Sequence, residues 1–134
     1  MLTDSFVLRV LVVDDDVILT RAIARALSDC DITIEYDGEA AIESLRRADH
    51  GVPYDVVLCD STLPGARGCD VAAAASELSA PPLFIAMSGA DDGLAWSHIV
   101  LLKPFSRSEV HEAVHHLAEH RGDFDTTSLA HQLV

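Results

Sequence analysis

The chain has 134 residues, a formal net charge of −13, 49% apolar residues and 5% aromatic ones. That length supports one domain with its own core. Such acidity argues against a nucleic-acid surface, and no signal peptide or apolar run of transmembrane length is present.

Residues 1–5 are polar and expected to fray. Residues 6–13 are rich in β-branched side chains and read as a first strand that runs into Asp14-Asp15-Asp16. Those aspartates also suit the start of a helix, by capping and by the helix dipole. The helix is expected over residues 17–28, with Leu19, Ile23, Ala26 and Leu27 inward and Thr20, Arg21 and Arg25 outward. Residues 32–36 alternate like a second strand, and Asp37-Gly38 is a turn or cap. Residues 39–48 form a second helix with Ala41, Ile42 and Leu45 on its core face.

The stretch Asp55-Val56-Val57-Leu58-Cys59-Asp60 is the centre of the pattern. A short run this apolar reads as a strand buried on both faces, as in the middle of a parallel sheet. Turn residues follow Asp60, which places it at the carboxyl end of that strand, where open α/β sheets hold ligands. A third helix is expected over residues 69–78, a fourth strand over 83–87 ending at Ser88-Gly89, and a fifth over 98–102 ending at Lys103. Ser106 and Glu109 have capping-box spacing. They open a last helix that runs to residue 120 with Val110, Ala113, Val114, Leu117 and Ala118 as its apolar stripe. Residues 1–120 are thus read as one domain, and 121–134 as a tail or linker with room for a short helix.

The fourth crossover is unusual. Only nine residues, 89–97, separate Ser88 from the fifth strand, whereas a crossover with its helix takes at least about 10–12. Gly89 and Asp92-Gly93 are poor helix interior residues. The helix there is expected to be absent or cut to about one turn around Leu94-Ala95-Trp96, with Trp96 covering the bared sheet.

Alternating strands and helices predict an α/β fold, a parallel sheet with helices on both faces. The strand ends carrying Asp14-Asp15, Asp60, Ser88 and Lys103 then share one edge. Crowded carboxylates repel unless a cation joins them, and an all-oxygen set beside a phosphate suits Mg²⁺. A carboxylate with a hard cation, a lysine and a hydroxyl around it can attack a phosphoryl group. Taken singly, the aspartates read as caps, Ser88 as a turn residue and Lys103 as a solvated side chain; their convergence favours the chemistry.

This ordered set resembles the receiver domain of two-component response regulators over about residues 7–120. The residues that carry the resemblance are Val12-Val13-Asp14-Asp15-Asp16, Asp60 through Gly68, Met87-Ser88-Gly89 and Leu102-Lys103-Pro104-Phe105. The resemblance implies a doubly wound, flavodoxin-like (βα)5 fold of strand order 2-1-3-4-5. It implies Asp60 as the acceptor of a phosphoryl group from a histidine kinase or histidine phosphotransfer protein. It implies Mg²⁺ on Asp15, Asp60 and the carbonyl of Thr62, with Asp14 acting through water. Ser88 would hydrogen-bond the phosphoryl group and Lys103 would pair with it. In the family, the face built from the fourth helix, fifth strand and fifth helix commonly passes the signal to partners or a dimer mate; a homodimer is left open. The chain departs from the family pattern at Gly89, commonly Ala, and at Val100, often an aromatic.

Two other readings compete. A degenerate receiver would serve only as a binding module. An aspartate-nucleophile phosphatase would want a second aspartate two positions after Asp60, where Thr62 stands, and a cap domain for which there is no room. The expected protein is therefore a signalling domain that catalyses only its own phosphorylation and dephosphorylation. Cys30, Cys59 and Cys69 lack metal-ligand spacing and are expected as reduced thiols in the cytoplasm. His111/His115 and His116/His120 are i,i+4 pairs, a spacing open to transition metals, but a solvated helix face is the expectation.

Overall fold

The computed structural model describes residues 7–90 and 95–123. The expectations for residues 1–5, Leu94 and 124–134 fall outside that range. The elements run β1 (Arg9–Val13), α1 (Val17–Ala26), β2 (Asp31–Glu35), α2 (Gly38–Asp49), β3 (Val56–Asp60), α3 (Gly68–Ser76), β4 (Leu83–Ser88), β5 (Ile99–Leu102) and α4 (Arg107–Glu119), with a 3₁₀ turn at Arg121–Asp123. All strand pairs are parallel, in the order β2-β1-β3-β4-β5.

Side chains alternate along each strand between two cores. On one face, Val10, Val12, Val56, Leu58, Leu83, Ile85 and Met87 pack with Ile23 and Leu27 of the α1 region and Val110, Val114 and Leu117 of α4. On the other, Leu11, Val13, Val57, Cys59 and Phe84 pack with Ala41 and Leu45 of α2 and Val71, Ala72 and Ala75 of α3. The alanines let α3 lie close to the sheet. β3 is buried along its whole length, as its unbroken apolar run requires.

Local signals placed the helix starts. The Asp16 carboxylate caps α1, accepting from the amides of Ile18 and Leu19. Asp37 caps α2 through the Ala40 amide. Ser106 and Glu109 form the capping box of α4. Thr20 differs from expectation. It is fully buried rather than outward, and its hydroxyl donates to the Val17 carbonyl at 3.0 Å, which satisfies the polar group inside the core.

Among the described residues no helix joins β4 to β5; Ala95 and Trp96 lie in a turn. The Trp96 ring meets Phe84 edge-on, with centroids 5.8 Å apart and planes at 74°. It stands where a third helix would cover that face.

Candidate functional site

Register brings the polar strand ends together. Val13 pairs with Cys59, so Asp14 follows β1 beside Asp60 at the end of β3. Asp60 pairs with Met87, which puts Ser88 one step beyond it on β4. Ser88 pairs with Leu102, and the Lys103 amide donates to the Ser88 carbonyl at 2.7 Å. β1 and β3 flank the point where the strand order reverses, the crevice in which doubly wound sheets bind ligands.

Lys103 is the hub. Its Nζ lies 2.9 Å from Asp14 Oδ2 and 3.4 Å from Asp60 Oδ1. Asp14 is 1% exposed and Asp60 5%. Burial raises the Asp14 carboxyl above its ordinary pKa; the Asp16 amide and Lys103 work against this, and the neighbouring Asp60 adds to it. Burial alone would lower Lys103, but its hydrogen bond to Asp14 and the charges of Asp14 and Asp60 win and raise it. One ammonium thus does not neutralise the pocket.

Asp14, Asp15 and Asp60 can each offer an oxygen within 4.8 Å of the others. Asp15 is exposed and so faces the solvent from which an ion would come. Three carboxylates, two of them buried, form an all-oxygen donor set that fits a hard divalent cation such as Mg²⁺. The three consecutive aspartates divide the work. Asp16 caps α1, Asp14 faces Lys103 while accepting from the Asp16 amide at 2.9 Å, and Asp15 completes the cluster.

Thr62 is exposed, and its amide donates to Asp60 Oδ1 at 3.3 Å. Ser88 is buried, and its hydroxyl donates to the Ala90 carbonyl at 2.7 Å while accepting from the Ala90 amide at 3.2 Å. It therefore stands at the edge expected of it with its hydroxyl engaged in its own turn.

The loop after Asp60 is held by its expected turn glycine and by contacts that local patterns do not single out. Gly65 has φ +72°, the left-handed region that favours glycine. The Ala66 amide donates to Glu39 Oε2 at 3.0 Å, tying the loop to the first turn of α2. A Cβ on Gly68 would lie 2.7 Å from the Asp60 carbonyl oxygen and 2.9 Å from Trp96 Cη2. Only glycine admits that double approach.

Residues 10–115 match the family described as the response regulator receiver domain. The chain belongs to that family. This receiver domain is 35% identical over 112 residues to the transcriptional regulatory protein CutR of Streptomyces coelicolor, covering 77% of this chain and 50% of CutR. It thus spans about half the length of the curated relatives it matches. Among solved structures, the signal receiver domain of NarL from Mycobacterium tuberculosis is 30% identical with a TM-score of 0.74, covering 86% of this chain and 98% of that one. A response regulator receiver protein from Sinorhizobium medicae is 28% identical with a TM-score of 0.73, covering 88% and 99%. The receiver fold, with its parallel sheet in the order 2-1-3-4-5 and no fourth-crossover helix among the described residues, is the one expected. None of its described helices is long and apolar enough to cross a membrane.

The histidines differ from the solvated face expected of them. His116 and His120 are exposed, but His111 and His115 are half-buried and both meet Asp29.

Proposed function

We propose that this receiver domain takes a phosphoryl group from a phosphohistidine donor onto Asp60 and so acts as the input of a cytoplasmic two-component system. The observation that carries this reading is Lys103 Nζ placed between Asp14 and Asp60 at the switch point of the sheet. Asp60 Oδ would attack phosphorus, the new P–O bond forming as the P–N bond to the donor imidazole breaks. The negative charge of the transferring group is spread over its oxygens and needs fixed cations and donors. Lys103 would turn from the carboxylates to a phosphoryl oxygen, and the Thr62 amide lies beside the reacting carboxylate. Ser88 would contribute after giving up its bond to Ala90. Asp14, Asp15, Asp60 and the Thr62 carbonyl would hold Mg²⁺, which when bound offsets the charge of the carboxylates and the phosphoryl group.

The partner is a histidine kinase or histidine phosphotransfer protein. Residues 1–120 would be the receiver and 121–134 a tail or linker. Because no helix fills the fourth crossover among the described residues and Val100 is a half-buried aliphatic, the signal would leave by a surface other than the usual one, such as the 89–97 loop or α1. Turnover of external substrates is not expected, since Thr62 offers no carboxylate for acid–base work.

Incubation with acetyl phosphate and Mg²⁺ should add one phosphoryl group, seen as a mass increment that alkali removes. Asp60→Asn should abolish it. Persistence in that variant would overturn the acceptor, and an unmodified wild type would favour the binding-module reading.

A further inference from the structure

At the opposite, amino-terminal edge of the sheet, a second cluster has different chemistry. Asp29 and Cys30 follow α1 and lead directly into β2, and His111 and His115 are one turn apart on α4. Asp29 Oδ2 lies 3.0 Å from His115 Nε2 and 3.3 Å from His111 Nε2. Cys30 Sγ lies 4.0 Å from His115 Nε2 and 3.7 Å from Asp29 Oδ1. The Asp29, Cys30 and His115 donors are mutually within 4.8 Å.

We propose that Asp29, Cys30 and His115 form a site for a borderline divalent transition ion of the Zn²⁺ class. Four-coordinate Zn²⁺ holds sulfur at about 2.3 Å and nitrogen or oxygen at about 2.0–2.2 Å, which separates neighbouring donors by roughly 3.3–3.6 Å. The separations present are 3.0 Å from Asp29 Oδ2 to His115, 3.7 Å from Asp29 Oδ1 to Cys30 and 4.0 Å from Cys30 to His115, so an ion would need the Asp29 carboxylate to turn one oxygen toward both partners and the three side chains to adjust around it. One sulfur, one imidazole and one carboxylate suit Zn²⁺ and discriminate against Mg²⁺, which takes oxygen. A surface ion pair accounts for Asp29 and the histidines, and packing against the first core for the half-burial of Cys30; what a metal adds is a use for sulfur, imidazole and carboxylate held within reach of one another.

His111 is a positioning residue. It bonds the same Asp29 oxygen and stacks on His115 with ring centroids 4.2 Å apart, fixing both ligands as outer partners of metal sites do. Asp29 and His115 also line a groove of about 450 Å³ with Leu8, Ala118 and Glu119, which gives an ion and a water a way to those two donors. His116 and His120 have the same spacing and a similar ring contact, yet both are exposed and no cysteine or carboxylate joins them in a donor cluster among the described residues. They serve as the internal control. A bound ion would clamp the end of α1 to α4, whose packing covers one face of the sheet.

The test is a Zn²⁺ titration of metal-stripped protein in excess Mg²⁺, by calorimetry, with Co²⁺ as the spectroscopic probe. One equivalent should bind, and Co²⁺ should show a sulfur-to-metal charge-transfer band. Affinity should fall by about tenfold or more in His111→Ala and further in Cys30→Ala and His115→Ala, with the charge-transfer band lost in Cys30→Ala. Asp60→Asn and the double variant His116→Ala/His120→Ala should bind like wild type. Circular dichroism confirms the fold of each variant, and Cys30→Ser, which keeps the side-chain size, covers the case of a misfolded alanine variant. Absence of binding, a Co²⁺ spectrum without the sulfur band, or affinity lost in the His116/His120 variant but kept in Cys30→Ala would overturn the site.

Discussion

The two faces of the sheet are covered unequally. On the first, α1 and α4 together bury the alternate residues from β1 to β4 and half-bury Ile99 and Leu101 of β5. On the second, α2 and α3 cover the centre, and beyond them the described cover is Trp96. The opposite side of β5 shows the consequence, since Val100 is half-buried and Leu102 is 47% exposed. A residue count too small for a helix has been met with one large ring, because an indole is the side chain that covers the most sheet per residue. The two buried aspartates of the site, at the ends of β1 and β3, lie under the complete part of both faces, whereas Lys103 follows the barer β5.

Substitutions on the two faces should separate in size. Leu117→Ala, fully buried beneath α4, is expected to lose about 2–5 kcal/mol in urea unfolding. Trp96→Ala should cost about 2 kcal/mol, below the roughly 3–5 of a fully buried tryptophan, because Trp96 is only half-buried. A cost for Trp96→Ala equal to that of Leu117→Ala would mean that the second face is sealed as well as the first.

Mg²⁺ is expected to act at the edge where the faces meet. The Asp14 carboxyl is raised above 3.8 by burial. Below that pH both folded and unfolded chains hold the proton. As pH rises through the folded value, the folded chain gives up a proton that it binds more tightly, so stability falls. A cation that replaces the proton removes this penalty. Melts with Mg²⁺ at ten times its dissociation constant should therefore gain about 1.4 kcal/mol at pH 7, much less at pH 4, and far less in Asp15→Asn. An increment that vanished in Trp96→Ala would show that the tryptophan supports the acidic pocket as well as the sheet.

The smallest effect belongs to the bare side of β5. Leu102→Thr should stay within about 0.5 kcal/mol of wild type, as exposed positions do. A larger loss would reveal that something in the protein covers Leu102.

Much of this was legible from the chain because the signals are local. A short apolar run marks β3, capping residues mark α1, α2 and α4, and four of the five strands end in a telling polar residue. Parallel topology then does the gathering, so Asp14, Asp60, Ser88 and Lys103 could be placed on one edge without knowing any distance. Relations across the chain were not legible. Cys30 and His115 are 85 residues apart, and neither the cysteine spacing nor the histidine spacing alone points to the other. Glu39 reaches the Ala66 amide across 27 residues, a contact between a helix start and a loop for which periodicity carries no signal. Thr20 was misplaced because a hydroxyl reads as polar until its backbone partner is known. The Ser88 hydroxyl is expected to hydrogen-bond a phosphoryl group, and the chain alone gave no sign that its own turn engages it through the Ala90 carbonyl.

Trp96 is also the one tryptophan of the chain. Its indole touches the ring of Phe84 and stands above Gly68, whose backbone lies against Asp60. The protein therefore carries a built-in fluorophore one glycine backbone away in space from Asp60, the proposed acceptor. Its emission maximum and quantum yield follow the polarity and packing around the ring. Steady-state and stopped-flow emission can thus time events at Asp60 in the unlabelled, unmutated chain.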